Sequence, residues 1–244
     1  MKKGDRYAIL GDVHANWEAL SAVLEDAEKQ RVDAYVCVGD LVGYNADPVR
    51  CLDRLRALNV LSVRGNHDHL CACAGGTMSL VAHAAAAVAW TRRQLSASDI
   101  QYLSGLQMSA QTGGFTIVHN TLQISADWTY VFTVRDAEES FRFQTTPVCF
   151  YGHTHMPIVF EKDARVTYRI YDRIRLDRGR KYLVNIGSVG QPRDRDPRAS
   201  YAVYDAGRGV VDLRRVRYDI ATAQSKIRDA GLPEWLAFRL DFGM

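Results

Sequence analysis

Val36-Cys37-Val38-Gly39-Asp40 is an uninterrupted apolar run that stops at a glycine and a carboxylate. Such a run reads as a strand buried on both faces, and its acid leaves the C-terminal edge. Two comparable stretches flank it. Upstream, Tyr7-Ala8-Ile9-Leu10 runs into Gly11-Asp12-Val13-His14-Ala15-Asn16, and downstream Val60-Leu61-Ser62-Val63-Arg64 runs into Gly65-Asn66-His67-Asp68. The three strand ends lie about 26 to 28 residues apart, the length of a β-α-β unit with short loops.

The segments between these strands carry the helices that such units need. Trp17, Leu20, Val23, Leu24 and Ala27 recur at helical spacing behind Asn16, which sits as an N-cap. Pro48 suits the first turn of a second helix bearing Val49, Leu52, Leu55 and Leu58. Farther on, residues 78–95 are alanine-rich and helical, Ser98-Asp99 caps a shorter helix ending near Gly105, and residues 136–143 form another. Strands are expected over 106–110 and 115–119, turning at Gly113-Gly114, and over 148–151, entering Gly152-His153-Thr154-His155. From Pro157 the spacing predicts antiparallel strands over 158–161, 165–175, 182–185, 200–204 and 210–217. A C-terminal helix begins near Asp219 and breaks at Gly231-Leu232-Pro233. Residues 121–135 have no clear period. With no linker or repeat visible, residues 1–244 read as one α/β domain, parallel strands first and antiparallel strands later.

The composition, 47% hydrophobic and 24% charged, is that of an ordinary globular protein. A net charge of +3 is too mild to argue for nucleic-acid binding by itself. The arginines of residues 165–181 alternate with apolar residues and acids, the pattern of a solvent-facing strand. Of five cysteines, Cys37, Cys51 and Cys149 sit in apolar settings typical of reduced thiols, and Cys71-Ala72-Cys73 has no second pair to complete a metal site. No apolar run approaches the roughly 20 residues that span a bilayer, and no signal peptide is visible. The expected location is the cytoplasm, away from membranes.

Five of the seven histidines, His14, His67, His119, His153 and His155, fall at strand ends or in glycine-flanked turns. Asp12 and His14 are two residues apart where a strand ends, so both side chains can point to one face. His153 and His155 repeat that separation after a glycine. Carboxylate, amide and imidazole donors together are too hard for a thiolate-type zinc site and too rich in nitrogen for calcium or magnesium. The set suits manganese, iron, zinc, cobalt or nickel. Asp40, central among the strand ends, is expected to bridge two such ions.

Gly11-Asp12-Val13-His14, Gly39-Asp40, Gly65-Asn66-His67-Asp68, His119 and Gly152-His153-Thr154-His155 occur in the order and approximate spacing of the calcineurin-like metallophosphoesterases. The resemblance extends through the loop Asn185-Ile186-Gly187-Ser188-Val189-Gly190-Gln191-Pro192-Arg193-Asp194, as in the small bacterial and archaeal phosphodiesterase-like branch. It implies a four-layer α/β/β/α sandwich of mixed β-sheets. It also implies two divalent transition-metal ions, manganese taken first. Asp12, His14, Asp40 and His155 would hold one ion, and Asp40, Asn66, His119 and His153 the other. Two cations about 3.5–4 Å apart acidify a water and clamp phosphoryl oxygens, and hydroxide held between them would attack phosphorus. His67 would protonate the leaving oxygen as general acid. Asn16, at a helix N-terminus facing the site, and Arg193, in the late loop, are the candidate substrate contacts. Asp68 is read as capping its turn. Trp128 and Tyr130 are read as aromatic core packing first, with lining of the substrate groove or an oligomer contact as the alternatives.

The implied activity is hydrolysis of small or nucleotide-like phosphodiesters, with homo-oligomerisation and nucleic-acid contact left open. A Ser/Thr protein phosphatase of the same superfamily carries Asp-Arg where this chain has Gly43-Tyr44, and Glu where it has Asp68. A diadenosine-polyphosphate hydrolase would need the same metal chemistry and a different groove. A scaffold protein sharing the fold would have a degraded site, whereas here every implied ligand and His67 is intact. Asn120 and Ile186 depart from the residues usual beside the groove, glycine and proline.

Overall fold

In the computed structural model, which describes residues 5–73, 80–123 and 127–244, the first three expected strands form as β1 (Arg6–Leu10), β2 (Ala34–Cys37) and β3 (Leu61–Ser62). They lie side by side in parallel, joined through α1 (Trp17–Lys29) and α2 (Pro48–Ala57). Next come α3 (Asn66–Ala72), α4 (Ala82–Gln94) and α5 (Ala97–Gly105), then β4 (Ser109–Thr112), β5 (Phe115–Val118), α6 (Val134–Phe141) and β6 (Val148–Tyr151). The remaining strands are β7 (Ile158–Lys162), β8 (Val166–Arg169), β9 (Arg173–Arg175), β10 (Lys181–Asn185), β11 (Ala199–Asp205) and β12 (Val210–Val216). Helices α7 (Ile220–Asp229) and α8 (Glu234–Phe238) follow. The start of the helix expected over 78–95, and part of 121–135, fall outside the described residues.

Two six-stranded mixed sheets result, ordered β3-β2-β1-β11-β12-β9 and β4-β5-β6-β10-β7-β8. The period-2 alternation of strands sorts side chains between layers. Ala8, Leu10 and Cys37 meet Leu20, Val23 and Leu24 of α1 on one outer face. Tyr7, Ile9, Val36 and Val38 face Phe115, Ile117, Phe150 and Val184 between the sheets. On the opposite outer face Tyr151, Phe160 and Leu183 pack against Ala137 and Phe141 of α6. This is the α/β/β/α sandwich. Asn16 Oδ1 accepts from the Ala19 amide and Thr133 caps α6, while the cap of α5 is Ser96, two residues before the expected Ser98, with Asp99 completing its capping box.

Two sequence expectations need correction. The strand expected over 165–175 is two strands in different sheets, β8 pairing with β7 and β9 with β12. Buried Tyr171 pins the crossing between them, its hydroxyl donating to the Asn185 carbonyl at 2.8 Å. Nor is the late half purely antiparallel, because β10 inserts parallel to β6.

Helix α1 is tied to the sheet through Asp26. Tyr201 and Arg214 face each other on β11 and β12. The Tyr201 hydroxyl donates to Asp26 at 2.6 Å and the Arg214 guanidinium donates two bonds at 2.9 and 3.0 Å. Burial opposes ionisation of Asp26, but these donors outweigh it and hold the carboxyl below its ordinary value. A depressed folded-state value contributes stability above the unfolded-state value, and that contribution disappears as pH falls through the folded one. Asp26→Asn should therefore lower the thermal midpoint at pH 7 by about 2–4 °C, a modest effect because Arg214 is partly exposed. The gap from the parent protein should narrow as the pH falls below the ordinary carboxylate range. A gap unchanged between pH 7 and pH 3 in calorimetric scans would refute this linkage.

Candidate metal centre

Strands β1, β2, β3, β5 and β6 all end at one rim, and the next few residues of each deliver a candidate ligand there. These are Asp12 and His14, Asp40, Asn66, His119, and His153 and His155, all buried. Asp40 stands at the centre. Its Oδ2 lies 3.4 Å from His14 Nε2 and 3.4 Å from His119 Nε2. On one side His14 Nε2 is 3.1 Å from His155 Nε2, which is 3.2 Å from Asp12 Oδ1. On the other, His119 Nε2 is 3.1 Å from Asn66 Oδ1 and 3.2 Å from His153 Nδ1. Among the described residues, Asp12, His14, Asp40 and His155 thus form one metal-competent group, and Asp40, His119 and His153 a second.

The outward ring nitrogens fix what the inward ones present. His14 Nδ1 donates to the Val42 carbonyl at 3.1 Å, His119 Nδ1 to Val38 at 2.9 Å, His153 Nε2 to Trp128 at 2.8 Å and His155 Nδ1 to Gln191 at 2.6 Å. A carbonyl accepts only from an N–H, so each neutral ring turns a lone pair inward. The lone pairs of His14 and His155, 3.1 Å apart, repel unless something positive sits between them. Burial pushes His14 and His155 well below the ordinary imidazole range and His153 down to about 3. At His119 burial is outweighed by the Asp40 carboxylate, and the ring is raised to about 9. A divalent cation competes with that single proton and releases it on binding. The donor set therefore fits two cations sharing Asp40.

Holding these groups together costs backbone strain. Asp12, His14, Asp40, His153 and His155 all have left-handed φ, between 48° and 67°, at roughly 1–2 kcal/mol each for residues with a Cβ. Hydrogen bonds between the loops enforce it: Asp12 N–H donates to Gly39 O and His14 N–H to Asp40 O, both at 2.9 Å, and His153 N–H to Asp12 Oδ1 at 3.0 Å. Asp40 Oδ1 accepts the His67 amide at 2.8 Å, so the N-terminus of α3 anchors one oxygen and aims the other at the site. Only glycine fits beneath that carboxylate, since a Cβ at Gly65 would lie 2.0 Å from Asp40 Oδ1. Asp68 stitches the two loops, accepting from Gly65, Leu41 and Val42 amides at 2.9, 2.8 and 3.3 Å. It caps the turn and makes no bond to the His67 ring.

His67 sits beside this cluster with its ring packed on Tyr44 and His14, at centroid distances of 4.3 and 4.8 Å. Among the described residues its Nδ1 has no partner and is buried against Gly43, where a Cβ would come within 2.5 Å of that nitrogen. Arg193 donates to Gln191 Oε1 at 2.8 Å and reaches the Tyr44 hydroxyl at 3.4 Å. The Asn16 side chain is engaged at both ends, by the Ala19 amide and, at 3.0 Å, by the Gly190 carbonyl. Three contributors escape sequence reading. Trp128 acts through its carbonyl, Tyr44 through its ring, and buried Arg239 brings a second cation near Arg193 and Tyr44. Tyr44 leaves a trace as the residue replacing a phosphatase arginine and Trp128 as an aromatic beside the groove, though its carbonyl leaves none. Among the described residues Cys71-Ala72-Cys73 belongs to no metal-competent group, and the Cys73 thiol lies 3.5 Å from His69 Nδ1.

Comparison with known proteins accords with this arrangement. The profile of the calcineurin-like phosphoesterase superfamily domain matches residues 6–209. An uncharacterised protein of Methanocaldococcus jannaschii is 35% identical over 242 residues, with 97% of each chain covered. The crystal structure of a metallophosphoesterase from Sphaerobacter thermophilus superposes with a TM-score of 0.87 at 39% identity, covering 99% of this chain and 100% of that one. A hypothetical protein of Pyrococcus horikoshii shares the fold, with a TM-score of 0.81 at 22% identity over 98% of each chain.

Proposed function

The chain belongs to the calcineurin-like phosphoesterase superfamily, and from that premise we propose that it is a phosphodiesterase acting on small or nucleotide-like diesters. One observation carries the reading: Asp40 Oδ2 is equidistant, at 3.4 Å, from imidazoles of two separate donor groups. Asp12, His14, Asp40 and His155 would hold one divalent ion, and Asp40, Asn66, His119 and His153 the other. Manganese is the first choice and iron, zinc, cobalt or nickel the alternatives. When bound, such a pair acidifies water and neutralises charge on the phosphoryl oxygens.

The chain's own residues then divide the remaining work. His67, steered by Tyr44 and Gly43, donates the proton to the leaving oxygen. An arriving phosphate anion counters the burial that otherwise lowers the His67 ring. Arg193 offers its guanidinium to a phosphoryl oxygen from the loop that also orients His155. Asn16 positions that loop through Gly190 rather than meeting substrate itself. Tyr44 stands where the resemblance would give a protein phosphatase an arginine, and this departure favours the diesterase over that phosphatase.

The assay pairs bis-p-nitrophenyl phosphate with p-nitrophenyl phosphate in the presence of Mn²⁺. The expected outcome is a kcat/KM for the diester at least about tenfold higher. Preference for the monoester would turn the reading to a phosphatase. Silence with Mn²⁺, Fe²⁺, Zn²⁺, Co²⁺ and Ni²⁺ alike would leave a scaffold.

A further inference from the structure

A cavity of about 490 Å³ is lined by Thr154 and Met156, on either side of His155, together with Phe132, Tyr168, Ile170 and Leu213. The topology places it at the same rim as the candidate metal centre. Ile158 at the start of β7 pairs with Asn185 at the end of β10, which runs parallel to β6 and its terminal Gly152-His153. β8 runs antiparallel to β7, so Tyr168 and Ile170 emerge at that end. β12 is antiparallel to β11, itself antiparallel to β1, which brings Leu213 and Arg215 to the edge where Asp12 lies.

The connection to the centre is continuous. Tyr130 stacks on His153 at 4.1 Å between centroids and 13° between planes, and Phe132 stacks on Tyr130 at 5.2 Å and 22°. Phe132 is held at the head of α6, its amide donating to Asp136 Oδ2 at 3.1 Å. The apolar side chains of the cavity are nonetheless open to solvent, Phe132 at 52%, Tyr168 at 62% and Ile170 at 83% exposed, which is costly for a cluster with nothing to cover. The charges at its edge do not invite another anion. Arg215 pairs with Asp194 and Arg198 with Asp196, and Asp172 adds a negative charge. The volume lies within the range of small-molecule pockets, and flat aromatic faces with carboxylates at the margin suit an uncharged heteroaromatic ring bearing N–H groups.

We propose that this cavity is a subsite for the retained substituent of the diester, and that it takes a nucleobase stacked on Phe132 and Tyr168. The proposal rests on the phosphodiesterase reading and narrows it to nucleotidyl esters. Thymidine 5′-(p-nitrophenyl phosphate) and methyl p-nitrophenyl phosphate share a leaving group and differ only in the retained substituent. In the Mn²⁺-loaded protein the nucleoside ester should be preferred in kcat/KM by about ten- to a hundredfold, the worth of one stacked base. Phe132→Ala and Tyr168→Ala should each shrink that ratio about tenfold, chiefly through KM. Phe143→Ala, at an exposed aromatic just beyond the C-terminal end of α6 and outside the cavity lining, should leave the ratio as it is.

A wild-type ratio near one, or a ratio insensitive to both substitutions, would overturn the proposal. If neither ester is cleaved, the phosphodiesterase reading fails by itself. The pocket is then judged by calorimetry with thymidine 5′-monophosphate against inorganic phosphate, where tighter nucleotide binding lost in Phe132→Ala supports it and equal affinity rejects it. Dissociation of a dimer in Ile170→Asp with the ester ratio intact would make the face a contact between copies, and also reject it.

Discussion

Asp40→Asn is expected to lose at least about 10³-fold in diester kcat/KM, because several kcal/mol of charge stabilisation depends on ions that this carboxylate holds. The substitution separates the two tasks of the side chain. An amide oxygen at the Oδ1 position still accepts the His67 amide, so the loop between β2 and α3 keeps its anchor. The NH₂ then takes the Oδ2 position, facing His14 and His119, where it cannot ligate and is directed at the cations. Metal content after Mn²⁺ loading, measured by mass spectrometry, should fall from two ions per chain to one or none. A variant that retains both ions and cleaves the diester at the parent rate would remove Asp40 from the mechanism.

The second large effect concerns His67. Its ring is wedged among Tyr44, His14 and Gly43, and its amide, not its ring, bonds Asp40. His67→Gln should therefore leave metal content intact while removing a proton donor. General-acid catalysis contributes about 10²–10⁴-fold when the leaving group needs a proton. For alkyl or nucleoside leaving groups kcat should fall by that factor, and for p-nitrophenolate, which departs without help, by less than about tenfold. Equal losses with both kinds of ester would exclude the acid role and leave His67 a positioning residue.

The parts of this molecule legible from sequence are those governed by local rules. Strand ends at Asp12, Asp40 and Asn66 announce themselves because an apolar run, a glycine and a polar ligand fit within five residues. Helix starts at Asn16 and Pro48 follow from capping chemistry, whereas the cap of α5 lies at Ser96, two residues before the expected Ser98. The division of 165–175 between two sheets does not follow, because the partners Val159 and Val210 lie on separate strands and both halves alternate alike. The ligand residue types were readable, but their strain and their outward clamps were not. The Trp128 and Gln191 carbonyls that orient His153 and His155 act through backbone atoms that every residue carries. Tyr44 and Arg239 reach the site through tertiary packing alone.

Crystals grown with Mn²⁺ and recorded at the manganese absorption edge test the central claim most directly. The expected result is two anomalous peaks about 3.5–4 Å apart, one among Asp12, His14 and His155, the other among Asn66, His119 and His153, with Asp40 touching both. A single peak, or a pair in which Asp40 touches only one ion, would contradict it.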